Sequence, residues 1–454
     1  MIEADFLILG GGLGGLSAAI PLAERAVVLE REARPGGLVR TAEHDGWLFD
    51  HVVHLLYFPD QRTEECVRRW LGSSLAPCAP VAWVHSMSGI TRFPFQAHLA
   101  PLPTETIVSC LASFAEAQRN DTNAPAENYE QMLLRTFGRE MCEEFFFPYN
   151  RKMWKRPLSE LAGSGFHWNI ARPDLREVLR GALEREHQHL GYNARGWYPR
   201  VPERHETPRG MEALSHALAQ RVARLHTGVQ VTGIDPRRRR VFALEHGTPT
   251  EFAYRRGVIS TLPLPLTAAL MQGLSNELIG AGARLRCNRV LTPCLRIRGP
   301  RPENSGHWRY YAAPDLSFTR LMFMTKFDPD SAPADGWGLM AEITQPNDAP
   351  LPDPKSVLAR VCREVRSIDI LPPGSDIVGA ELIVNPYGYV VFEPGTAKQV
   401  EQLSQALRSL GVEPLGRYGR WEYSSMGQVM RDGLELGERA ANDAYSTQLV
   451  AASS

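Results

Sequence analysis

The sequence predicts an α/β protein with a Rossmann-type nucleotide-binding domain and an inserted α+β second domain of helices and an antiparallel or mixed sheet. The first observation is an apolar run, Phe6–Leu9, that leads directly into the glycine-rich segment Gly10–Gly15. The second is a helical segment, Leu16–Arg25, followed by another apolar run at Ala26–Leu29. The third is length, since 454 residues exceed the roughly 50–250 residues of one domain.

The glycine-rich segment has the GxGxxG spacing of a dinucleotide-binding turn, and it stands between a strand and a helix as such a turn requires. Gly10 allows the tight turn, and Gly12 lets the backbone approach a pyrophosphate. Gly15, with Gly14 beside it, lets the helix pack closely on the strand. The helix N-terminus offers free N–H groups and positive potential to phosphates. The pattern therefore predicts a bound dinucleotide.

The second strand ends on an acidic residue, Glu30, 20 residues after Gly10. A carboxylate at this place accepts hydrogen bonds from the ribose hydroxyls of an adenosine, and it repels the 2′-phosphate of NADP. Pro21 lies inside the first helix and removes one backbone hydrogen bond. We therefore expect a short or kinked helix whose phosphate-binding start is intact.

Composition limits the partners of the chain. Hydrophobic residues make up 43% and charged residues 22%, which is ordinary for a globular protein, and a formal net charge of −1 gives no overall field for nucleic acid. The N-terminus lacks the basic region of a signal peptide, and no apolar run reaches about 18 residues. The seven cysteines form no CxxC pair. We expect a cytoplasmic protein with no integral membrane association and no metal site.

Further elements follow from periodicity and from the positions of proline and glycine. Helices are predicted at Thr104–Arg119, Tyr129–Phe147, Asp174–His187, Thr396–Leu410 and Gln428–Asn442. Pro148 is expected to end the second of these helices. Strands are predicted within Val229–Thr261 and at Leu321–Phe323 and Trp337–Ile343.

The segment after Glu30 favours FAD over NAD. Residues 35–41, PGGLVRT, resemble the GGxxxT/S element of amine oxidases, protoporphyrinogen oxidases and UDP-galactopyranose mutases. In that superfamily this loop closes over the pyrophosphate and ribityl chain of FAD. The resemblance implies that FAD is the cofactor and that its neighbours include Arg31, Gly37, Leu38 and the cation Arg40.

Later segments resemble, in order and over nearly the whole chain, the branch that contains the UDP-galactopyranose mutases. Residues 93–96, PFQ preceded by Phe93, resemble the segment that holds uracil, and residues 146–154 resemble the F-x-PYxxKxW motif. Residues 191–199 resemble GPNxxFxYP, and residues 308–320 resemble a W-x-Y…F-x-R pattern. The resemblance implies substrate contacts from Phe93, Gln96, Tyr149, Trp154, Asn193, Trp197, Trp308 and Tyr310.

Three residues match positions that meet the substrate diphosphate in the mutases, namely Arg172, Arg320 and Tyr389. Guanidinium groups suit phosphate oxygens because they donate paired, charge-assisted hydrogen bonds. Two other matches concern the cofactor: the strand beginning at Val231 resembles one whose backbone touches adenine, and Arg417 lies in a GRFGxWxY-like element near the ribityl chain. Residues 424–428 with Met426 resemble instead the MDQ form of protoporphyrinogen-oxidase-like proteins, with Gly427 in place of aspartate.

His54 matches the histidine of a Gly-Gly-His segment that lies beside the flavin in the mutases, and the resemblance implies a catalytic position for it. Here the segment is Asp50-His51-Val52-Val53-His54. Val53 is β-branched and lacks the backbone freedom of glycine. This departure disfavours the redox-linked loop movement of the mutases, and we interpret His51 as structural.

Two functions remain open. The first is a flavin-dependent mutase that interconverts the pyranose and furanose rings of a nucleotide-diphosphate sugar through N5 of reduced flavin, with NAD(P)H as a transient reductant. Such chemistry needs no nucleophile from the protein, in agreement with the lack of a Ser/His/Asp or Cys/His motif. The alternative is a FAD-dependent oxidase or dehydrogenase of an amine, polyene or sugar, favoured by the MDQ-like segment. A flavin-binding protein without catalysis is a third class.

The resemblance also implies a discontinuous cofactor domain. We expect residues 1–90, 205–280 and 380–454 to form the FAD-binding domain. Residues 91–204 and 281–379 are expected to form the substrate domain.

Overall fold

The computed structural model describes residues 2–120, 124–164, 172–185, 196–200 and 208–442. The strands are β1 (Ile2–Leu9), β2 (Ala26–Leu29), β3 (Thr41–His44), β4 (Trp47–Asp50), β5 (Leu75–Cys78), β6 (Ala82–His85), β7 (Ile90–Arg92), β8 (Gly196–Pro199), β9 (Leu225–His226), β10 (Val229–Asp235), β11 (Arg240–Glu245), β12 (Thr248–Ser260), β13 (Arg286–Arg298), β14 (Trp308–Tyr311), β15 (Arg320–Phe323), β16 (Gly336–Pro346), β17 (Asp376–Val391) and β18 (Val412–Pro414).

The helices are α1 (Leu13–Leu22), α2 (Gln61–Leu71), α3 (Thr104–Arg119), α4 (Tyr129–Phe137), α5 (Arg139–Met141), α6 (Phe147–Trp154), α7 (Leu175–Leu183), α8 (Glu212–Ala219), α9 (Leu264–Leu270), α10 (Asn276–Ala283), α11 (Met324–Phe327), α12 (Pro354–Ser367), α13 (Thr396–Ser409), α14 (Gly416–Gly419) and α15 (Met426–Ala441).

The first sheet has the order β10-β11-β12-β1-β2-β9, with β18 also paired to β12. The pairs β1–β12, β1–β2, β2–β9 and β12–β18 are parallel, and the β10–β11–β12 meander is antiparallel. Residues Phe6–Leu9 of β1 and all of β2 are apolar and buried, which is typical of parallel strands that are covered on both faces. The Rossmann-type unit predicted from the glycine motif and its flanking strands is confirmed.

The second sheet has the order β17-β13-β16-β15-β14-β6-β7 and is antiparallel except at the parallel pair β14–β6. The predicted α/β fold with an antiparallel or mixed second sheet is confirmed. Strand β6 and residues 380–391 of β17 lie within the ranges expected for the cofactor domain, and both pair in the second sheet. Strand β17 belongs to the second sheet because it pairs with β13 along nearly all of its length.

One predicted helix end is wrong. Pro148 does not stop a helix, because a single π-helical turn at residues 142–146 leads into α6, and Pro148 lies in the first turn of α6. Proline is tolerated there since the N–H groups of a first helical turn have no partner within the helix. The ring of Tyr149 is therefore presented from a helix start.

Helix α15 packs tightly along α1, the helix that begins at the glycine-rich turn. Glycines of α15 make this approach possible, since a Cβ atom at Gly433 would lie 2.7 Å from the carbonyl oxygen of Gly14 and 2.8 Å from Ser17 Cβ. Gly437 faces the Ala18 carbonyl in the same way. The C-terminal helix thus supports the predicted phosphate-binding helix through backbone contact, which only glycine permits at these sites.

The substitution Gly433→Ala is expected to destabilise the fold by about 1–3 kcal/mol, because the added methyl group overpacks a backbone contact that cannot relax. Urea unfolding monitored by circular dichroism measures this change.

Gly280→Ala in α10 is the matched control, since its Cβ would meet nothing nearer than Arg284 Nη1 at 3.5 Å. Helix propensity alone predicts that this control is neutral or more stable by up to about 1 kcal/mol. Equal effects of the two substitutions would contradict the packing argument.

Candidate active site

The glycine-rich turn is held by the acidic residue at the end of β2. Gly10 has a φ of 100°, which suits glycine, and the N–H of Gly11 donates to Glu30 Oε2 at 2.6 Å. The N–H of Glu32 donates to Glu30 Oε1 at 2.8 Å. Glu30 is buried, and each oxygen keeps a lone pair for a further donor. Among the described residues no side chain caps the start of α1, and none of their atoms lies within 4 Å of a Cβ atom built at Gly12. These features fit the adenosine ribose and pyrophosphate of a dinucleotide.

The second glycine element lies against the first. The N–H of Gly36 donates to the Gly11 carbonyl at 2.8 Å, and a β-bridge joins Gly12 to Gly36. Arg40 donates to the Gly37 carbonyl at 3.1 Å and lies 3.3 Å from a Glu32 oxygen. The two elements that were predicted to enclose the cofactor are therefore adjacent, and Arg40 is held beside them.

The other predicted cofactor residues lie around this cradle or its supports. Leu38 is half-buried next to Gly37, and Val231 is half-buried on β10. Arg31 is exposed and pairs with Glu32 at 2.9 Å. Arg417 lies 4.7 Å above the ring centroid of Tyr423.

The start of α15 explains the drift from the MDQ pattern. Met426 is the first residue of the helix, and Ser425 and Gln428 cap it with reciprocal hydrogen bonds. A Cβ atom at Gly427 would fall on the backbone carbonyl oxygen of Tyr57. An aspartate cannot occupy this position, because the loop after His54 lies directly against the helix.

A buried ion pair forms the centre of the second predicted cluster. Arg320 on β15 stands opposite Glu342 on β16 in the antiparallel register, and its Nη2 lies 2.5 Å from Glu342 Oε2. The hydroxyl of Tyr389 donates to Glu342 Oε1 at 2.9 Å. Both charged residues are buried, at 8% and 4% exposure, whereas the Nε of Arg320 has no hydrogen-bond partner within the described residues.

Glu342 is not among the site residues predicted from the sequence. The signal was present, since this glutamate is a lone acid in the otherwise uncharged strand Gly336–Pro346. A charged residue in a buried strand is almost always paired. Burial alone would raise the pKa of Glu342, but the charge and hydrogen bond of Arg320, with Tyr389, hold it below its ordinary value. The pair is therefore ionised, and it leaves the cleft with less positive charge than Arg320 alone would provide.

Aromatic rings extend from this ion pair. Tyr310 meets Tyr149 edge to face at 5.6 Å between centroids, and it lies 5.4 Å from Phe93. Trp154 packs edge-on against Tyr389 at 6.3 Å. Burial raises the pKa of the Tyr149, Tyr310 and Tyr389 hydroxyls, so these tyrosines are neutral donors. The structure thus brings five predicted residues together with Arg320 in one cluster.

His54 lies beside this cluster. Its side chain exposes surface, yet burial among protein atoms and the nearby Arg320 charge lower its pKa to about 4. Surface exposure and a pKa lowered by burial are compatible if His54 faces an internal cleft. The charges of Glu342 and Arg417 also act on the pKa of His54, the first raising it and the second lowering it. Val53 before it is buried at 3% exposure.

The structure also places four further predicted site residues. Arg172 is exposed at the segment before α7, and Gln96 is buried in a 3-10 turn. Trp197 receives the guanidinium of Arg68 at 3.9 Å from its ring centroid, and Trp308 stacks on Phe327 at 6.1 Å. Asn193 lies outside the described residues.

The fold and this site define a flavoprotein of two sheets, with a dinucleotide cradle and a separate polar-aromatic cleft. The sequence model of the family described as flavin containing amine oxidoreductase matches residues 13–443, and the chain belongs to this family. Membership implies FAD as the cofactor, in agreement with the residues around Glu30.

Individual relatives point to more than one activity. The chain is 24% identical over 308 residues to the chloroplastic protoporphyrinogen oxidase of Oryza sativa subsp. japonica; the match covers 61% of this chain and 56% of the rice protein, so it spans little more than half of that relative. A crystal structure of reduced UDP-galactopyranose mutase superposes with a TM-score of 0.87 at 20% identity, covering 100% of this chain and 98% of the other. Putrescine oxidase bound to putrescine superposes with a TM-score of 0.62 at 15% identity, covering 99% of each chain. At these identities the structural likenesses establish the fold.

Within the described ranges, no helix combines the length and the apolar character that a membrane span requires. Within the same ranges, no three His, Cys, Asp or Glu side chains come together as metal ligands.

The substitution Glu342→Gln is expected to destabilise the protein by about 3–5 kcal/mol, because it leaves the buried guanidinium of Arg320 without a counter-charge. Chemical unfolding at neutral pH measures the change in free energy.

Glu3→Gln on β1 is the matched control, since Glu3 pairs with Arg255 on β12 at 3.0 Å and both side chains are exposed. An exposed pair of this kind contributes about 0–1 kcal/mol. If both substitutions cost the same, Arg320 does not depend on Glu342.

Proposed function

We propose that this protein is a flavin-dependent mutase that interconverts the pyranose and furanose rings of a nucleotide-diphosphate sugar. The observation that carries the proposal is the buried Arg320, whose Nε lacks a partner in the described part of the chain, among the hydroxyls of Tyr149, Tyr310 and Tyr389. A guanidinium and neutral hydroxyl donors suit diphosphate oxygens. The full-length likeness to the reduced mutase supports the same fold for this chemistry.

The protein's own groups would act by position and charge. Arg320 and the hydroxyls of Tyr149 and Tyr310 would hold the diphosphate and stabilise the negative charge that develops on it as the anomeric bond breaks, while Tyr389 keeps its hydrogen bond to Glu342. Phe93 and Tyr310 offer ring faces for the base or the sugar. Bound flavin supplies the redox-dependent nucleophilicity of the reaction. NAD(P)H is proposed as the transient source of the reduced state.

A second candidate is a FAD-dependent oxidase or dehydrogenase of an amine, polyene or sugar. Glu342 favours it, because this carboxylate neutralises Arg320, while Arg172 is exposed. A cleft with a compensated cation and a row of aromatic rings suits a substrate with little negative charge. The match to the rice protoporphyrinogen oxidase agrees with this alternative.

Binding of UDP separates the candidates. We expect Arg320→Lys, which keeps a positive charge beside Glu342, to weaken UDP binding about tenfold or more, since paired hydrogen bonds to phosphate are lost and about 1.4 kcal/mol is a factor of ten. Isothermal titration calorimetry on the holoprotein measures it.

Arg298→Lys on the exposed end of β13 is the control and should bind UDP as the wild type does. Wild-type protein that does not bind UDP would favour the oxidase.

Redox dependence gives an independent test. With UDP-galactopyranose under anaerobic conditions, a mutase forms furanose only after reduction of the flavin by dithionite or NAD(P)H, and it does not consume reductant in proportion to product. An oxidase substrate instead bleaches the visible band of the oxidised flavin by itself. Bleaching by a UDP-sugar or an amine, without NAD(P)H, would overturn the mutase proposal.

A further inference from the structure

Two loops on the predicted flavin side are joined to the open end of the hairpin formed by β3 and β4. Strands β3 and β4 pair with Thr41 opposite Asp50. Residues 36–40, which contain the second glycine element, run into β3, and residues 51–54, which end at His54, run out of β4. The N–H of His51 also donates to the Arg40 carbonyl at 2.9 Å, so a shift of one loop displaces the other.

Asp50 ties this open end to two other parts of the chain. Its side chain is fully buried, and Oδ1 accepts hydrogen bonds from Thr41 Oγ1 at 2.6 Å and from the N–H of Met211 at 3.0 Å. Oδ2 accepts from the hydroxyl of Tyr198 at 2.6 Å. The carboxylate thereby joins β3, β4, β8 and the start of α8.

The network continues toward the glycine element. The N–H of Thr41 donates to Glu212 Oε2 at 2.9 Å, and Arg34 lies 2.9 Å from Glu212 Oε1. Gly210 permits the close approach, since a Cβ atom there would lie 2.7 Å from both Asp50 Oδ1 and Thr41 Oγ1. Every contact except that of Arg34 is buried, which makes the arrangement rigid.

No cation in the described part of the chain pairs with Asp50. The charged groups that face it are Asp328 and, behind that residue, Arg209, which lies 3.5 Å from Asp328. Burial raises the pKa of Asp50 to about 6 although the three hydrogen bonds oppose the rise. The histidines of the neighbouring loop titrate lower, because burial lowers the pKa values of His51 and His54 to about 4.

We propose that Asp50 is a positioning residue whose ionised carboxylate holds the loops 36–40 and 51–54 in place against the flavin. A protonated carboxyl needs an acceptor for its own hydrogen, so one of the three donors loses its partner and the two loops loosen. This inference concerns the flavin side only and holds for either substrate class.

The test is the FAD dissociation constant and the visible flavin spectrum as a function of pH, between about pH 5 and pH 8. In wild type, FAD binding should weaken about tenfold as the pH falls through the pKa of Asp50. Asp50→Asn should lose this dependence and bind FAD weakly throughout. Retention of the wild-type pH profile in Asp50→Asn overturns the proposal.

If Asp50 acts only on the stability of the fold, the pH dependence has the opposite sign. Because the folded state holds the Asp50 proton more tightly than the unfolded chain does, the free energy of unfolding that Asp50 contributes is present below its ordinary pKa of 3.8 and is lost as pH rises through about 6. FAD affinity should instead rise with pH. If affinity and stability change together, Asp50 acts only on the fold.

Tyr198→Phe keeps the test decisive if Asp50→Asn does not fold. This variant removes one donor to the ionised carboxylate, so the midpoint of the FAD-binding profile should move to higher pH. An unchanged midpoint contradicts the proposal. No sugar nucleotide enters these measurements, so their outcome is separate from that of the mutase proposal.

Discussion

The strand register of the second sheet is the constraint on which the cleft depends. Pairing of β15 with β16 sets Arg320 directly opposite Glu342, and both side chains are buried. A slip of one residue would turn one member of the pair to the other face of the sheet and leave two uncompensated charges in the core. The free energy that such a slip would cost far exceeds the strand propensity of any single residue. The ion pair therefore helps to fix the register of β15 and β16, and that register in turn places the two charged residues opposite each other.

The same pair sets the electrostatic character of the cleft. The positive charge of Arg320 is compensated by the carboxylate of Glu342, which also accepts a hydrogen bond from Tyr389. A substrate that binds here meets oriented hydrogen-bond donors, and it does not meet a strong positive electrostatic potential. Recognition of a diphosphate here would rest on geometry, and an apolar or amine substrate would find the neighbouring rings equally accessible. The two candidate functions differ in which of these contacts binds the substrate, the oriented hydrogen-bond donors or the aromatic rings.

The cofactor side is organised by backbone contacts that exclude side chains. Gly433 admits the Gly14 carbonyl, Gly427 admits the Tyr57 carbonyl, and Gly36 donates directly to the Gly11 carbonyl. The first and third contacts bring elements distant in sequence against the dinucleotide turn or its helix, and the second brings α15 against the loop after His54. Rigidity at this side is therefore obtained from close packing of main chain, and the loop that ends at His54 is held by Asp50, a hydrogen-bonded carboxylate in place of a glycine hinge.

Local pattern was sufficient for the Rossmann unit, because strand, glycine turn, helix and Glu30 are contiguous and each has a direct stereochemical reason. The likeness to known flavoproteins predicted Arg320, Tyr149 and Tyr389, and folding brings them into one cleft. Glu342 and Asp50 could not be assigned a role from sequence, since their roles arise from partners on other strands, at positions that only pairing and burial define. The sequence determined a dinucleotide site through contiguous geometry, and the resemblance of residues 35–41 implied FAD as its occupant. Tertiary structure alone decided the charge of the cleft, because charge compensation depends on which buried groups meet across strands.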